Sequence, residues 1–240
     1  MTDLWELISN GAVYKRGILQ PEYVLNLRED ALQRIPSENT RRDEYGIART
    51  LPVDVRIHKP LIRIGADLLE SIGLQDIRYL AGAVIPKYEN EPVRDWHVDY
   101  FDWSGVDVMR QVPPQVGVIF YLDISECGGG ALRTRKGSNR QHLTPTVQHA
   151  LIESSFPCRA GDAVIIDARV AHSVDTRYST GTRIAITLWY MVNWNSLSDR
   201  IKSSAMLCVT PDFQPFLGNL YPNYSGDTPP QAHCKDPTVP

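Results

Sequence analysis

Hydrophobic positions change period partway along this chain. From Pro21 the apolar residues Val24, Leu27, Ala31 and Ile35 recur at helical spacing, which predicts an amphipathic helix over 21–35. A second helix is expected over 60–72, opening at Pro60, with Leu61, Gly65, Leu68 and Ile72 on one side and Gly73 as its stop. Ahead of both, residues 12–19 read as a strand. From residue 78 onward the period falls to two, and strands are expected over 78–85, 94–103, 115–123, 161–168 and 183–192, with a short one inside the glycine-flanked stretch 128–137. The 115–123 segment is apolar on both faces, as a strand in the middle of a sandwich must be. Alternation in 183–192 puts Arg183, Ala185, Thr187 and Trp189 on one face and Ile184, Ile186, Leu188 and Tyr190 on the other. Short strands with Gly and Pro turns, following two helices, predict a mainly β fold of the sandwich or jelly-roll type with helices packed outside. Residues 36–56 lack a period and read as a loop, either a cover for a site or a plain connection. One domain is expected over 1–210. Residues 211–240 form a proline-rich tail that wraps the domain in extended form or lacks order.

Composition narrows the partners. A net charge of −3, with no Lys/Arg run longer than two, does not indicate a nucleic-acid or anionic-membrane surface. Neither a basic-then-apolar N-terminus nor eighteen consecutive apolar residues occur, so the expectation is a cytoplasmic protein without signal peptide or membrane span. Cys127, Cys158, Cys208 and Cys234 are widely spaced and read as free thiols.

The chemistry concentrates in Arg94-Asp-Trp-His-Val-Asp-Tyr-Phe-Asp-Trp103. In an extended chain His97 and Asp99 point to one side, while Trp96, Val98 and Tyr100 point to the other. An imidazole and a carboxylate so placed suit a divalent metal, and two ligands on one face demand a third. His172, directly after the apolar run from Val164, is the candidate. Two histidines and one carboxylate leave open positions on the metal, the pattern of non-heme Fe(II) oxygenases.

Four patterns follow one another in order: Trp96-His97-Val-Asp99; Cys127-Gly-Gly-Gly-Ala-Leu132 with Lys136-Gly-Ser138; Gly161-Asp through Val170-Ala-His172; and Thr182-Arg183-Ile-Ala-Ile-Thr-Leu-Trp189. Together they resemble the Fe(II)/2-oxoglutarate-dependent oxygenases over residues 11–193, in particular the phytanoyl-CoA dioxygenase-like branch. That resemblance implies a double-stranded β-helix, a form of jelly roll. It implies Fe(II) held by His97, Asp99 and His172, with 2-oxoglutarate and O2 as cosubstrates, and succinate and CO2 as products alongside an oxidised, most simply hydroxylated, small molecule such as a natural-product intermediate. Arg183, eleven positions after His172, then receives the far carboxylate of the cosubstrate, because a guanidinium offers a bidentate match to it. Thr187 and Lys87 are expected to add contacts there. Tyr100 and Trp103 are candidates to line the substrate pocket, and Arg133 to hold an anionic substrate group. Lys136-Gly-Ser-Asn139 departs from the branch, which usually has proline before Gly-Ser and histidine after it; the substrate mouth is where that departure is expected to show. Asp99 argues against a halogenase, which lacks the carboxylate ligand. Two alternatives stand: a prolyl-hydroxylase-like enzyme acting on a peptide or amino acid, a subgroup that usually has lysine in place of Arg183, and a non-catalytic metal-binding jelly roll.

Overall fold

The computed structural model describes residues 2–35, 50–99, 112–126, 129–140, 151–175, 181–199, 201, 202 and 205. Its first element, α1 (Asp3–Asn10), has no counterpart among the expected helices. It buries Leu7 completely and ends at Gly11, which takes a left-handed conformation and donates its N–H to the Leu7 carbonyl at 2.9 Å. Strand β1 (Ala12–Lys15) is shorter than the predicted 12–19, because the chain turns at Gly17, whose N–H donates to Asp162 Oδ1 at 2.8 Å. Helix α2 (Pro21–Arg34) follows its apolar spacing, burying Val24, Leu27 and Ala31. After the two-residue strand β2 (Leu51–Pro52), helix α3 (Val55–Ser71) starts ahead of the expected Pro60. The Asp54 carbonyl already accepts the His58 N–H at 2.8 Å, so a turn has closed before the proline, which costs the helix a single backbone bond.

The strands are β3 (Arg78–Lys87), β4 (Arg94–His97), β5 (Gln115–Tyr121), β6 (Leu132–Arg135), β7 (Glu153–Phe156), β8 (Ala163–Asp167), β9 (His172–Val174) and β10 (Arg183–Met191). They form a six-stranded sheet, β1-β8-β5-β10-β3-β2, and a four-stranded sheet, β4-β9-β6-β7, with antiparallel pairings. These two facing sheets make a jelly roll. The expected 94–103 strand stops at His97; residues 36–49 of the expected loop, residues 100–111 and the proline-rich tail lie outside the described residues.

The large sheet separates two apolar regions. Val116, Val118 and Phe120 of β5 and Ile184, Ile186 and Leu188 of β10 pack with the helices, including Leu61 and Leu69 of α3. Each such fully buried side chain contributes about 1.5–3 kcal/mol. Tyr190 reaches across and donates its hydroxyl to the Ile62 carbonyl at 2.8 Å. A Cβ at Gly65 would lie 2.2 Å from that hydroxyl, so this glycine in a helix interior makes room for the bond. The opposite face, with Ile119, Tyr121 and Ala185, looks toward the small sheet.

A buried polar knot fixes how β8 passes into β9. Asp167, fully buried, accepts from Arg169 (Nε 2.9 Å, Nη2 2.7 Å) and from Asn139 Nδ2 at 2.9 Å. Ser138 Oγ accepts the Ala171 N–H at 2.8 Å, and Asn139 Nδ2 also donates to the Ile8 carbonyl at 3.2 Å. Asn139 is therefore a structural tie between α1 and the turn before His172. Replacing Asp167 with alanine strands the Arg169 guanidinium in the interior, and a loss of about 3–5 kcal/mol is expected in the denaturant unfolding free energy. An Asp167→Ala chain as stable as the parent would show that the knot is not needed.

Candidate active site

β4 and β9 bring the two histidines together. His97, the last residue of β4, pairs in register with His172, the first of β9. Their rings lie 4.2 Å apart between centroids, with planes inclined at 53°. Asp99, two residues beyond the end of β4, turns its carboxylate to both: Oδ1 is 3.7 Å from His97 Nε2 and Oδ2 is 3.5 Å from His172 Nε2. One donor atom from each residue lies within 4.8 Å of the others. Nδ1 of His172 faces the Val170 carbonyl at 3.1 Å, and since a carbonyl can only accept, Nδ1 carries the proton and Nε2 presents its lone pair.

The donor set fits a divalent metal. Bonds of about 2.1 Å to one ion place ligand atoms roughly 3 Å apart, so separations of this size close with small side-chain rotations. Two neutral imidazoles and one carboxylate against open space are what a redox-active iron takes. Asp99 is held from the large sheet as well: Trp189 Nε1–H donates to Oδ2 at 3.3 Å, and the Gln115 amide donates to the Asp99 backbone carbonyl at 3.1 Å.

A cavity of about 270 Å³ opens beside these three residues. β10 supplies its floor through Arg183, Ala185, Thr187 and Trp189, the face that alternation placed together. Ile119 and Tyr121 of β5 and Ala81, Ala83 and Ile85 of β3 continue the lining. Arg183 is buried, donates Nη2 to the Gly130 carbonyl at 2.8 Å, and lies 5.6 Å from the centre of the Tyr121 ring. Lys87 stands opposite Arg183 in register and also lines the cavity, but its ammonium faces the Glu91 carboxylate (3.6 Å) and the Pro92 carbonyl (3.2 Å). Much of its charge is thus met within the protein. Gly130 permits this crowding: a Cβ there would sit 2.9 Å from Lys87 Cδ and 3.3 Å from Arg183 Nη2.

The remaining expected residues divide. Thr187 is buried and lines the cavity between Ala185 and Trp189. Tyr100 and Trp103 lie outside the described residues. Arg133 does not line the cavity. Leu132 faces inward, so Arg133 faces away, where it donates to Ser173 Oγ at 3.3 Å, lies 3.8 Å from Glu153 and stacks with Arg135 against Trp96. Trp189, Gln115 and Glu91 are site residues that sequence reading did not single out; for Trp189 the available signal was the face it shares with Arg183.

Cys158, the described free cysteine, is buried behind Tyr121, and burial, reinforced by the Asp162 charge, pushes its thiol up to about 12 from 9.0. At pH 8 the folded chain is expected to resist iodoacetamide at Cys158 while the denatured chain reacts, as read by mass mapping. The raised value favours the protonated, folded form: the contribution is intact below about pH 9 and is lost as pH climbs toward about 12. Alkylation of native Cys158 at pH 8 would contradict this.

Residues 84–191 match the model of the 2OG-Fe(II) oxygenase superfamily. The chain carries a 2OG-Fe(II) oxygenase domain. Iron is its metal, and 2-oxoglutarate and O2 are its cosubstrates. The fold of this oxygenase is similar to solved structures of low identity. The non-heme α-ketoglutarate-dependent epimerase SnoN from nogalamycin biosynthesis superposes with a TM-score of 0.64 at 17% identity, over 79% of this chain and 81% of that one. The carbocyclase SnoK of the same biosynthesis gives 0.62 at 16%, over 79% and 82%. HygX from Streptomyces hygroscopicus, solved with nickel and 2-oxoglutarate bound, gives 0.59 at 15%, over 80% and 86%. No curated protein matches the chain at a significant level. Among the described residues of the oxygenase, no helix is long and apolar enough to cross a membrane.

Proposed function

We propose that His97, Asp99 and His172 hold the iron of this oxygenase, that Arg183 receives the far carboxylate of 2-oxoglutarate while Thr187, four residues along the same strand face, adds a contact to the cosubstrate, and that the reaction is oxidation, most simply hydroxylation, of a small natural-product intermediate. The observation that carries this reading is the convergence of two imidazole nitrogens and one carboxylate at the mouth of a cavity whose floor holds a buried guanidinium. Bound there, iron would supply open positions for the keto acid and dioxygen and the oxidising power for a C–H bond. The chain's own residues do the rest. The Val170 carbonyl keeps His172 in the tautomer that presents Nε2, and the buried Arg183 offers charge and a planar fork to a carboxylate that water no longer solvates.

The apolar row of Ala81, Ala83 and Ile85, with the Trp189 ring across from it, suits an organic molecule of modest size. SnoN has been solved with nogalamycin RO and HygX with hygromycin B, which supports a small-molecule substrate here. The motif order around His97, His172 and Arg183 supports placement in the phytanoyl-CoA dioxygenase-like branch. Purified chain supplied with Fe(II), 2-oxoglutarate and O2 is expected to release succinate in an iron-dependent manner, slowly even without a second substrate. A chain that, loaded anaerobically with Fe(II), neither binds nor decarboxylates 2-oxoglutarate would be a metal-binding jelly roll without turnover.

A further inference from the structure

The three residues of the triad do not have equal support. His97 and His172 belong to the small sheet and face each other in register, so the backbone ladder places them. Asp99 lies beyond the end of β4, in no strand. Among the described residues, side chains from across the molecule engage it. Trp189 of β10 donates its indole N–H to Oδ2, and Gln115, fully buried on neighbouring β5, donates to the backbone carbonyl of the same residue. The two donors stand on adjacent strands: Gln115 pairs with Met191 and Gly117 with Trp189. A Cβ at Gly117 would crowd Ile166 Cγ1 at 3.1 Å and would only be in ordinary contact, 3.8 Å, with Trp189 Cδ1.

We propose that Trp189, seconded by Gln115, is a positioning residue for the carboxylate of the iron site. This rests on the triad assigned above. Its indole engages Oδ2 and so limits rotation of the carboxylate, whose Oδ1 and Oδ2 face His97 Nε2 at 3.7 Å and His172 Nε2 at 3.5 Å. A carboxylate bound through one oxygen takes one position on the ion, and the open positions that the keto acid and dioxygen require are kept. A hydrogen bond to a ligating carboxylate also limits its rotation in the empty site, so less conformational freedom is lost on binding. The tryptophan thus links the two sheets through the ligand with the least backbone support.

Cobalt(II) alone, titrated anaerobically into the full chain without keto acid, tests this. Trp189→Phe keeps an aromatic ring and removes the donor; its cobalt affinity is expected to fall about 10- to 100-fold, with the metal-free chain still unfolding in one cooperative transition. Replacing Trp189 with benzothienylalanine, which keeps the shape and puts sulfur where the N–H was, is expected to give the same loss and covers the case of a phenylalanine variant that does not fold. If either folded variant binds cobalt as tightly as the parent, the hydrogen bond has no positioning role. A parent chain that binds no cobalt would instead overturn the triad, so the two failures are told apart.

Discussion

Asp99→Ala is expected to abolish iron-dependent succinate formation and to weaken metal binding by a factor of several hundred. Structural zinc sites of four ligands bind with about 10–16 kcal/mol, so one ligand is worth roughly 3–4 kcal/mol there, and a loss of that order is expected for the carboxylate here. Asp99 is the one anionic member of the triad, and neither imidazole replaces its charge. The fold should tolerate the change: Asp99 is part-exposed, lies outside the strands and belongs to neither hydrophobic cluster. Anaerobic cobalt titration and succinate release, read together, check this. A variant with parental turnover would mean that another carboxylate holds the metal.

Arg183→Ala is expected to raise the KM for 2-oxoglutarate steeply while kcat at saturation falls much less. Truncating one partner of a buried, hydrogen-bonded charge pair costs about 2–5 kcal/mol, or roughly 30-fold to several thousand-fold in affinity. The anchored carboxylate is remote from the reacting carbon, so its loss removes binding common to ground and transition states and falls on KM. Arg183 also donates to the Gly130 carbonyl, and Arg183→Lys, which keeps the charge without the fork, should recover part of the affinity. A KM unchanged in the alanine variant would move the carboxylate anchor elsewhere, with Lys87 the next residue to test.

Much of this was legible in the order of the residues. Alternation along 183–192 separated the helix-packed Ile184, Ile186 and Leu188 from the cavity-facing Arg183, Ala185 and Thr187, because a strand's period of two is set by covalent geometry. His97, Asp99 and His172 stood out because few residue types bind metal and two of them lay two positions apart. Parity also held the answer for Arg133, where the reading followed its charge instead of its position next to the inward Leu132. Lys87 met its partner only four residues on, in Glu91. Other features were beyond local pattern. Helix α1 has eight residues and one fully buried leucine, too little to show a period, and β7, Glu-Ser-Ser-Phe, takes its form as an edge strand beside β6. The bond from Trp189 to Asp99 spans ninety positions and depends on where the chain goes after β4 ends.

A crystal of the chain grown anaerobically with Fe(II) and 2-oxoglutarate tests the assignment most directly. The anomalous iron peak should fall between Nε2 of residue 97, a carboxylate oxygen of residue 99 and Nε2 of residue 172, with the keto acid on the metal and its distal carboxylate on the guanidinium of residue 183. Iron elsewhere, or a keto acid that leaves that guanidinium untouched, would contradict it.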